Sequence, residues 1–316
     1  MPTILTLYEF SDEHAKQIRD IAPDYELKTV PIKEVTPEQI READILVGWN
    51  RKMEQDAVES DKLKWVQSWS AGVDYFPMDR FAEKNVLLTN SGGVHAIPIS
   101  EHIFAVLLSM TRSVHLNIRS QVRGKWDKSG TYGEAAGRTM VIVGTGHIGR
   151  ATAKLAKAFG MHTIGVRHSG RPEEHIDEMY QTDGIEEAFG KGDVIVNILP
   201  LTDDTRHFFD KDSFGYMKKG SLFINVGRGP SVDTDALVAA LDSGTLSGAA
   251  LDVFEQEPLP EDHPLWKRED VIITPHVAGN TDHYDVRATE IFIENLKAFV
   301  KGETLPRNLV DYSRKY

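Results

Sequence analysis

Short apolar runs alternate with amphipathic stretches along the whole chain, the pattern of parallel strands joined by crossover helices. The first part predicts strands at Ile4–Tyr8, Glu26–Val30, Asp44–Val47, Lys64–Trp69 and Val86–Leu88. One helix between them carries its own start signal. Thr36 is placed as N-cap, Pro37 at the first helical position, and Gln39 completes a capping box. A second series follows at Thr139–Val143, Thr163–Val166, Asp193–Ile198, Ser221–Val226, Ala249–Asp252 and Val271–Thr274. Five strands and then six, each set interleaved with helices, predict an α/β protein of two doubly wound parallel-sheet domains. Two longer helical stretches break this rhythm. Pro98 to about Gln121 is apolar almost all round between Ile103 and Met110, which demands burial on several sides, between domains or subunits. The other runs from about Thr281 to Val300 and is closed by Gly302.

Length agrees with two domains, since 316 residues is twice the usual domain size of roughly 150. Charge narrows the partners. With 36 Lys and Arg against 48 Asp and Glu the formal charge is −12, which repels nucleic-acid phosphates and anionic lipid. Small anions then need a local basic pocket. The chain has no cysteine, so disulfides, thiolate metal sites and thiol nucleophiles are all excluded. The opening MPTILTLYEF lacks the basic start and long apolar run of a signal peptide, and Ile103–Leu108 is too short to span a bilayer. The expectation is a soluble, cytoplasmic protein without nucleic-acid or membrane partners.

The first chemical signal is Gly144-Thr145-Gly146-His147-Ile148-Gly149, directly after the strand Met140–Val143 and before a helical pattern that reaches Phe159. The first glycine permits the tight turn and the second lets backbone approach a pyrophosphate. The third, Gly149, lets helix pack on strand, leaving the phosphate at the helix N-terminus. A motif of this kind is weak alone, but strand and helix both stand in the required places. The next strand ends at Val166 and runs into Arg167-His168-Ser169-Gly170-Arg171, where an NAD site would carry an acid for the ribose hydroxyls. No acid occurs before Glu173. The cationic and hydroxyl groups present suit a 2′-phosphate, which favours NADP with NAD as the alternative, the turn then being merely solvated.

Three further residues follow three successive strands: Arg228 between Gly227 and Gly229, Glu257 before Pro258, and His276 after Thr274-Pro275. In an open α/β sheet, strand ends on one edge line the binding crevice. A guanidinium there grips a carboxylate in two parallel bonds, a histidine exchanges protons near neutral pH, and a neighbouring carboxylate stabilises its imidazolium form. Singly, the arginine would read as a surface partner of Asp233 and the histidine as structural; together they read as a site. His95 and His102 lack metal-ligand spacing and no acidic cluster accompanies them, so no metal is assigned. Trp49, Trp65 and Trp69 read first as core, although Trp49-Asn50, Trp69 and Tyr75 follow strands and are candidates for a pocket wall.

The chain resembles the D-isomer-specific 2-hydroxyacid dehydrogenase family over nearly its whole length. Ser70-Ala71-Gly72-Val73-Asp74, the Gly144–Gly149 turn, Leu199-Pro200, Asn225 to Gly229, Leu251 to Pro258 and Thr274 to Gly279 carry the resemblance. It implies a Rossmann coenzyme domain, residues 99–286, inserted into a flavodoxin-like substrate domain made of residues 1–98 and 287–316. It implies His276 as acid/base, Glu257 as its partner, and Arg228 with the amides of Ala71 and Gly72 on the substrate carboxylate. Coenzyme contacts are implied for His147, Ile148, Arg167, His168, Pro200, Thr205, Val226 and Asp252, with Ser169 in the same turn as Arg167. The family is usually dimeric, with Ile99–Met110 where the contact forms. The basic turn after Val166 resembles the NADP-using glyoxylate/hydroxypyruvate reductase branch. The activity implied is reduction of a small 2-keto acid, or the reverse. A dinucleotide-sensing protein resembling corepressors of this fold is the competing reading, and a methyltransferase is disfavoured by the arginine at the ribose position.

Overall fold

In the computed structural model, which describes residues 1–73 and 75–312, the predicted strand rhythm resolves into two separate parallel sheets. Asp74 and residues 313–316, included in the reading above, lie outside the described residues. The chain divides into residues 1–94 with the C-terminal segment from 281, and a single inserted stretch, 95–280. The divisions thus fall four to six residues before the expected 98/99 and 286/287. The long helix starting at Ala96 begins inside the inserted unit, and the chain has already left that unit at Thr281.

The first unit holds β1 (Thr3–Thr6), β2 (Glu26–Thr29), β3 (Ile45–Val47), β4 (Trp65–Gln67) and β5 (Leu87–Thr89), in the order β2-β1-β3-β4-β5. This is the flavodoxin-like order. The capping box forms as read: the Gln39 amide donates to Thr36 Oγ1 at 3.3 Å and the Thr36 amide to Gln39 Oε1 at 2.9 Å. On one face of the sheet, Ile4, Ile45 and Trp65 pack against Ala288, Phe292 and Leu296 of the helix Tyr284–Phe299. The C-terminal segment therefore completes the first core. Each large apolar side chain buried this way contributes ~1.5–3 kcal/mol.

The inserted unit contains seven strands rather than the six expected: β6 (Thr139–Val143), β7 (His162–Val166), β8 (Glu178–Tyr180), β9 (Val194–Asn197), β10 (Ser221–Asn225), β11 (Leu246–Leu251) and β12 (Val271–Ile273). Their order, β12-β11-β10-β9-β6-β7-β8, reverses direction between β6 and β9. β8 escapes an apolar-run search because it is a three-residue edge strand, Glu-Met-Tyr, only partly buried. All seven run parallel, so their carboxyl ends share one edge.

The predicted long helix is two helices, Ala96–Thr111 and Val114–Val122, broken at Ser113. Ser113 takes a left-handed φ of +52°, and its hydroxyl donates to the Thr131 carbonyl at 2.6 Å. Ile103, Phe104, Leu107 and Met110 pack against Met140, Ile142 and Ala153 of the same unit. Most of the apolar surface expected to face another subunit is thus consumed within the chain.

Candidate active site

The glycine turn follows β6 beside the reversal of strand order, where open α/β sheets bind ligands. Gly144 has φ +103°, a conformation that L side chains rarely adopt. A Cβ on Gly149 would lie 2.3 Å from the Gly144 carbonyl oxygen, so only glycine lets the helix His147–Ala158 approach this closely. A Cβ on Gly146 would meet nothing within 4 Å. Gly146 is also the N-cap, and no side chain caps this 12-residue helix. The neighbouring Thr145 Oγ1 is buried without a hydrogen-bond partner. The cradle fits a dinucleotide pyrophosphate.

At the end of β7 the basic turn takes a form that spacing did not show. Arg167 donates from Nη1 to Glu173 Oε2 at 3.1 Å, and Arg150 Nη1 lies 3.6 Å from Glu173 Oε1. Arg150 Nη2 is 3.2 Å from His147 Nδ1, which joins this cluster to the glycine turn. His168 and Ser169 are exposed, the His168 carbonyl accepting from Gln181 Nε2 at 3.3 Å.

Arg228, Glu257 and His276 stand on the loops after β10, β11 and β12. The glycines beside Arg228 are there for close approach: a Cβ on Gly229 would sit 1.8 Å from the Phe254 carbonyl oxygen, and one on Gly227 2.7 Å from that of Leu199. Arg228 is exposed, and Asp233, its candidate surface partner, caps the helix Thr234–Asp242 by accepting from the Ala236 amide at 3.0 Å. His276 Nδ1 is 2.7 Å from Glu257 Oε2. The other Glu257 oxygen accepts from the Phe254 amide at 2.9 Å, which fixes the carboxylate. A largely apolar hollow of about 460 Å³, walled by Phe254, Leu259, Trp266 and Ile273, adjoins the pair.

His276 itself has φ +54°, rare for a residue other than glycine. Asp252, 2% exposed, holds that conformation. Its Oδ1 accepts from the Thr274 hydroxyl at 2.6 Å and the Val277 amide at 3.0 Å, and its Oδ2 accepts from the Ala278 amide at 3.0 Å. The His276 amide donates to the Asp252 carbonyl at 2.9 Å. Asp252, expected at the coenzyme, also bonds the His276 loop. His102 Nε2 is 3.2 Å from Thr274 Oγ1; burial pushes its imidazole below the ordinary histidine range, against the opposing pull of Asp252.

A buried amide network supports the neighbouring loops. Asn197 Nδ2 donates to Asn225 Oδ1 at 3.0 Å and to Ser231 Oγ at 2.7 Å, while Ser231 Oγ donates to the Arg228 carbonyl at 2.6 Å. Sequence reasoning missed Asn197 and Ser231 and gave Asn225 no role of its own, although asparagine at the end of an apolar strand is itself a signal, because a buried amide requires partners. Pro200 and Thr205 lie on the loop after β9, joined by Thr205 Oγ1 donating to the Pro200 carbonyl at 2.7 Å; Val226 directly follows β10 and is buried.

In the first unit, Ala71 and Gly72 are exposed on the loop after β4, the Gly72 amide donating to Ser70 Oγ at 3.2 Å. Trp49 and Trp69 are buried, at 8% and 7% exposed. Trp49 stacks on Phe76 at 4.7 Å, and Trp69 stacks on Tyr8 at 4.8 Å while its Nε1 donates to Asp285 at 2.8 Å.

A dinucleotide cradle and a histidine–carboxylate pair on one sheet edge define a nucleotide-dependent α/β enzyme class. Comparison with known proteins makes the assignment narrower. Residues 104–278 match the model of the D-isomer specific 2-hydroxyacid dehydrogenase NAD-binding domain, and the chain belongs to that family. It is 34% identical over 285 residues to a glyoxylate reductase from Thermofilum pendens, covering 87% of this chain and 84% of that one. It is also 34% identical to a D-3-phosphoglycerate dehydrogenase from Methanocaldococcus jannaschii, of whose length it spans 57%. Among solved structures, a D-isomer specific 2-hydroxyacid dehydrogenase from Xanthobacter autotrophicus, in complex with NADPH and MES, matches with a TM-score of 0.78 and 26% identity, covering 100% of this chain and 99% of that one. A D-lactate dehydrogenase from Aquifex aeolicus, with NAD and lactic acid, matches at 0.69 and 26%, covering 98% of each chain. Among the described residues no helix is long and apolar enough to cross a membrane.

Proposed function

We propose that this dehydrogenase reduces a small 2-keto acid to the D-2-hydroxy acid with NADPH as its preferred coenzyme, and that His276 is the acid/base. The observation that carries this reading is the 2.7 Å contact of His276 Nδ1 with Glu257, on the same sheet edge as the glycine turn and Arg228. Gly144, Gly146, His147, Ile148 and Gly149 hold the pyrophosphate, Arg167, His168 and Ser169 the adenosine ribose and its phosphate, and Pro200, Thr205 and Val226 line the remaining coenzyme path. When bound, the reduced nicotinamide supplies the hydride to the keto carbon. Glu257 engages Nδ1 and so leaves Nε2 to donate the proton to the carbonyl oxygen as that oxygen takes the C=O electron pair; His276 ends neutral. Arg228 grips the substrate carboxylate in two parallel bonds and offsets the developing negative charge, and the amides of Ala71 and Gly72 serve as further donors to that carboxylate. Asp252 belongs to that coenzyme path as well, and it holds the His276 loop.

The direct test is oxidation of NADPH and NADH, side by side, against 2-keto acids from glyoxylate to bulky aromatic ones. Rapid turnover with NADPH is expected, and replacing His276 with Ala is expected to lower it ~10²–10⁴-fold. A near-wild-type rate in that variant would remove the histidine from the mechanism. The enzyme is proposed to work as a homodimer, because an apolar stripe of Val114, Ile118 and Val122, at four-residue spacing on one helix face, lies exposed, and Trp126, shortly after that helix, is 92% exposed.

A further inference from the structure

We infer that Glu173 sets the coenzyme ratio of this site, acting as a built-in counterion that a 2′-phosphate must outcompete for Arg150 and Arg167. This rests on the reading that the turn after Val166 meets the adenosine ribose. Three observations place Glu173 in that role. It lies six residues beyond Arg167, yet the chain folds back so that one carboxylate oxygen accepts from Arg167 at 3.1 Å and the other lies 3.6 Å from Arg150. Its side chain is 18% exposed, against 34% for Arg167 and 44% for Arg150, so the carboxylate is the sheltered centre of the cluster and the two guanidiniums are its rim. Arg150, on the first turn of the helix after the glycines, ties the cluster to the pyrophosphate cradle through His147.

The electrostatic consequence follows from the charges. Two guanidiniums and one carboxylate leave the cluster with one net positive charge instead of two. A 2′-phosphate must share or displace the Glu173 contacts to bind both arginines, and it is repelled by the carboxylate at short range. A ribose with a free 2′-hydroxyl meets no such repulsion, and its hydroxyl can donate to that same carboxylate. Glu173 therefore penalises NADP and supports NAD, and it is the acid that the strand end itself lacks.

The experiment is calorimetric titration of the wild-type protein, E173Q and R167Q with NADP⁺ and with NAD⁺, at two ionic strengths, each variant first checked by thermal melting. E173Q should raise the NADP⁺:NAD⁺ affinity ratio about tenfold, the scale of one charge-assisted contact. Its NADP⁺ affinity should also fall more steeply with salt, since an uncompensated positive cluster then does the binding. An unchanged ratio would overturn the inference, and a falling ratio would show instead that Glu173 orients Arg167 for phosphate. R167Q separates the two levels: loss of NADP⁺ preference there upholds the parent reading whatever E173Q does, and an unmoved ratio refutes it. If E173Q melts early, E173D provides the second test, a shorter carboxylate that should shift the ratio in the same direction by less.

Discussion

His276 carries the proposed proton transfer from an unfavourable backbone conformation. A left-handed φ costs an ordinary residue ~1–2 kcal/mol, so something must hold the loop in place. The buried carboxylate of Asp252 does so through the Thr274 hydroxyl and two consecutive amides, those of Val277 and Ala278. Removing it leaves the buried Ala278 amide unsatisfied, at ~1–3 kcal/mol, and frees the part-buried Thr274 hydroxyl and Val277 amide. Asp252→Ala is therefore expected to lower both the melting temperature and kcat, with the loss of kcat persisting at temperatures where the variant is fully folded. Wild-type turnover in the folded variant would show that the loop holds its shape without the clasp.

The edge strand β8 shows how a short element persists without an apolar core of its own. Asp177 and Glu178 bring it against β7. Burial pushes the Asp177 carboxyl up, but bonds from the Lys157 ammonium and from the Thr163 amide and hydroxyl prevail and hold it at about 2. Bonds from Lys191, then His162 and Tyr180, hold Glu178 at about 2 as well. Both lie below their ordinary values, so their stabilisation is fully present above about pH 5 and is lost as pH falls through 4 towards 2. Each is partly exposed, so solvent screening limits the effect of each to ~0.2–1 kcal/mol. The hydrogen-exchange protection of β8, taken relative to the intrinsic amide rate at each pH, is expected to fall in that acid range before that of the central strands β6 and β9, and Asp177→Asn should lower the protection of β8 in this way already at neutral pH. Simultaneous opening of all strands would mean that β8 is held by other contacts.

At the scale of the whole molecule, the exposed stripe of Val114, Ile118 and Val122, with the exposed Trp126 that follows the helix, is the surface proposed for a second copy. In the helix before it, Ala96–Thr111, the side chains of Ile103, Phe104, Leu107 and Met110 pack within their own unit, and the contact proposed here lies further along the chain than the Ile99–Met110 segment. Ile118→Asp combined with Trp126→Ala should shift sedimentation from dimer to monomer while the far-ultraviolet spectrum stays unchanged. A wild-type protein that sediments as a monomer at micromolar concentration would refute the dimer.

What the sequence determined by itself is local in origin. Parallel strands announce themselves as apolar runs because both faces are buried, the Thr36 capping box and the glycine turn are short-range chemistry, and strand-end positions are enough to nominate Arg228, Glu257 and His276. Tertiary structure alone decided what depends on through-space approach. The order of the strands brings Glu257 to His276, the chain after Arg167 folds Glu173 back on to it, β8 finds its place only against β7, and Trp49 and Trp69 are claimed by aromatic neighbours distant in sequence. No propensity or period encodes these, because a loop's partner is set by which strands lie side by side, and that is fixed by how the whole sheet buries its two faces.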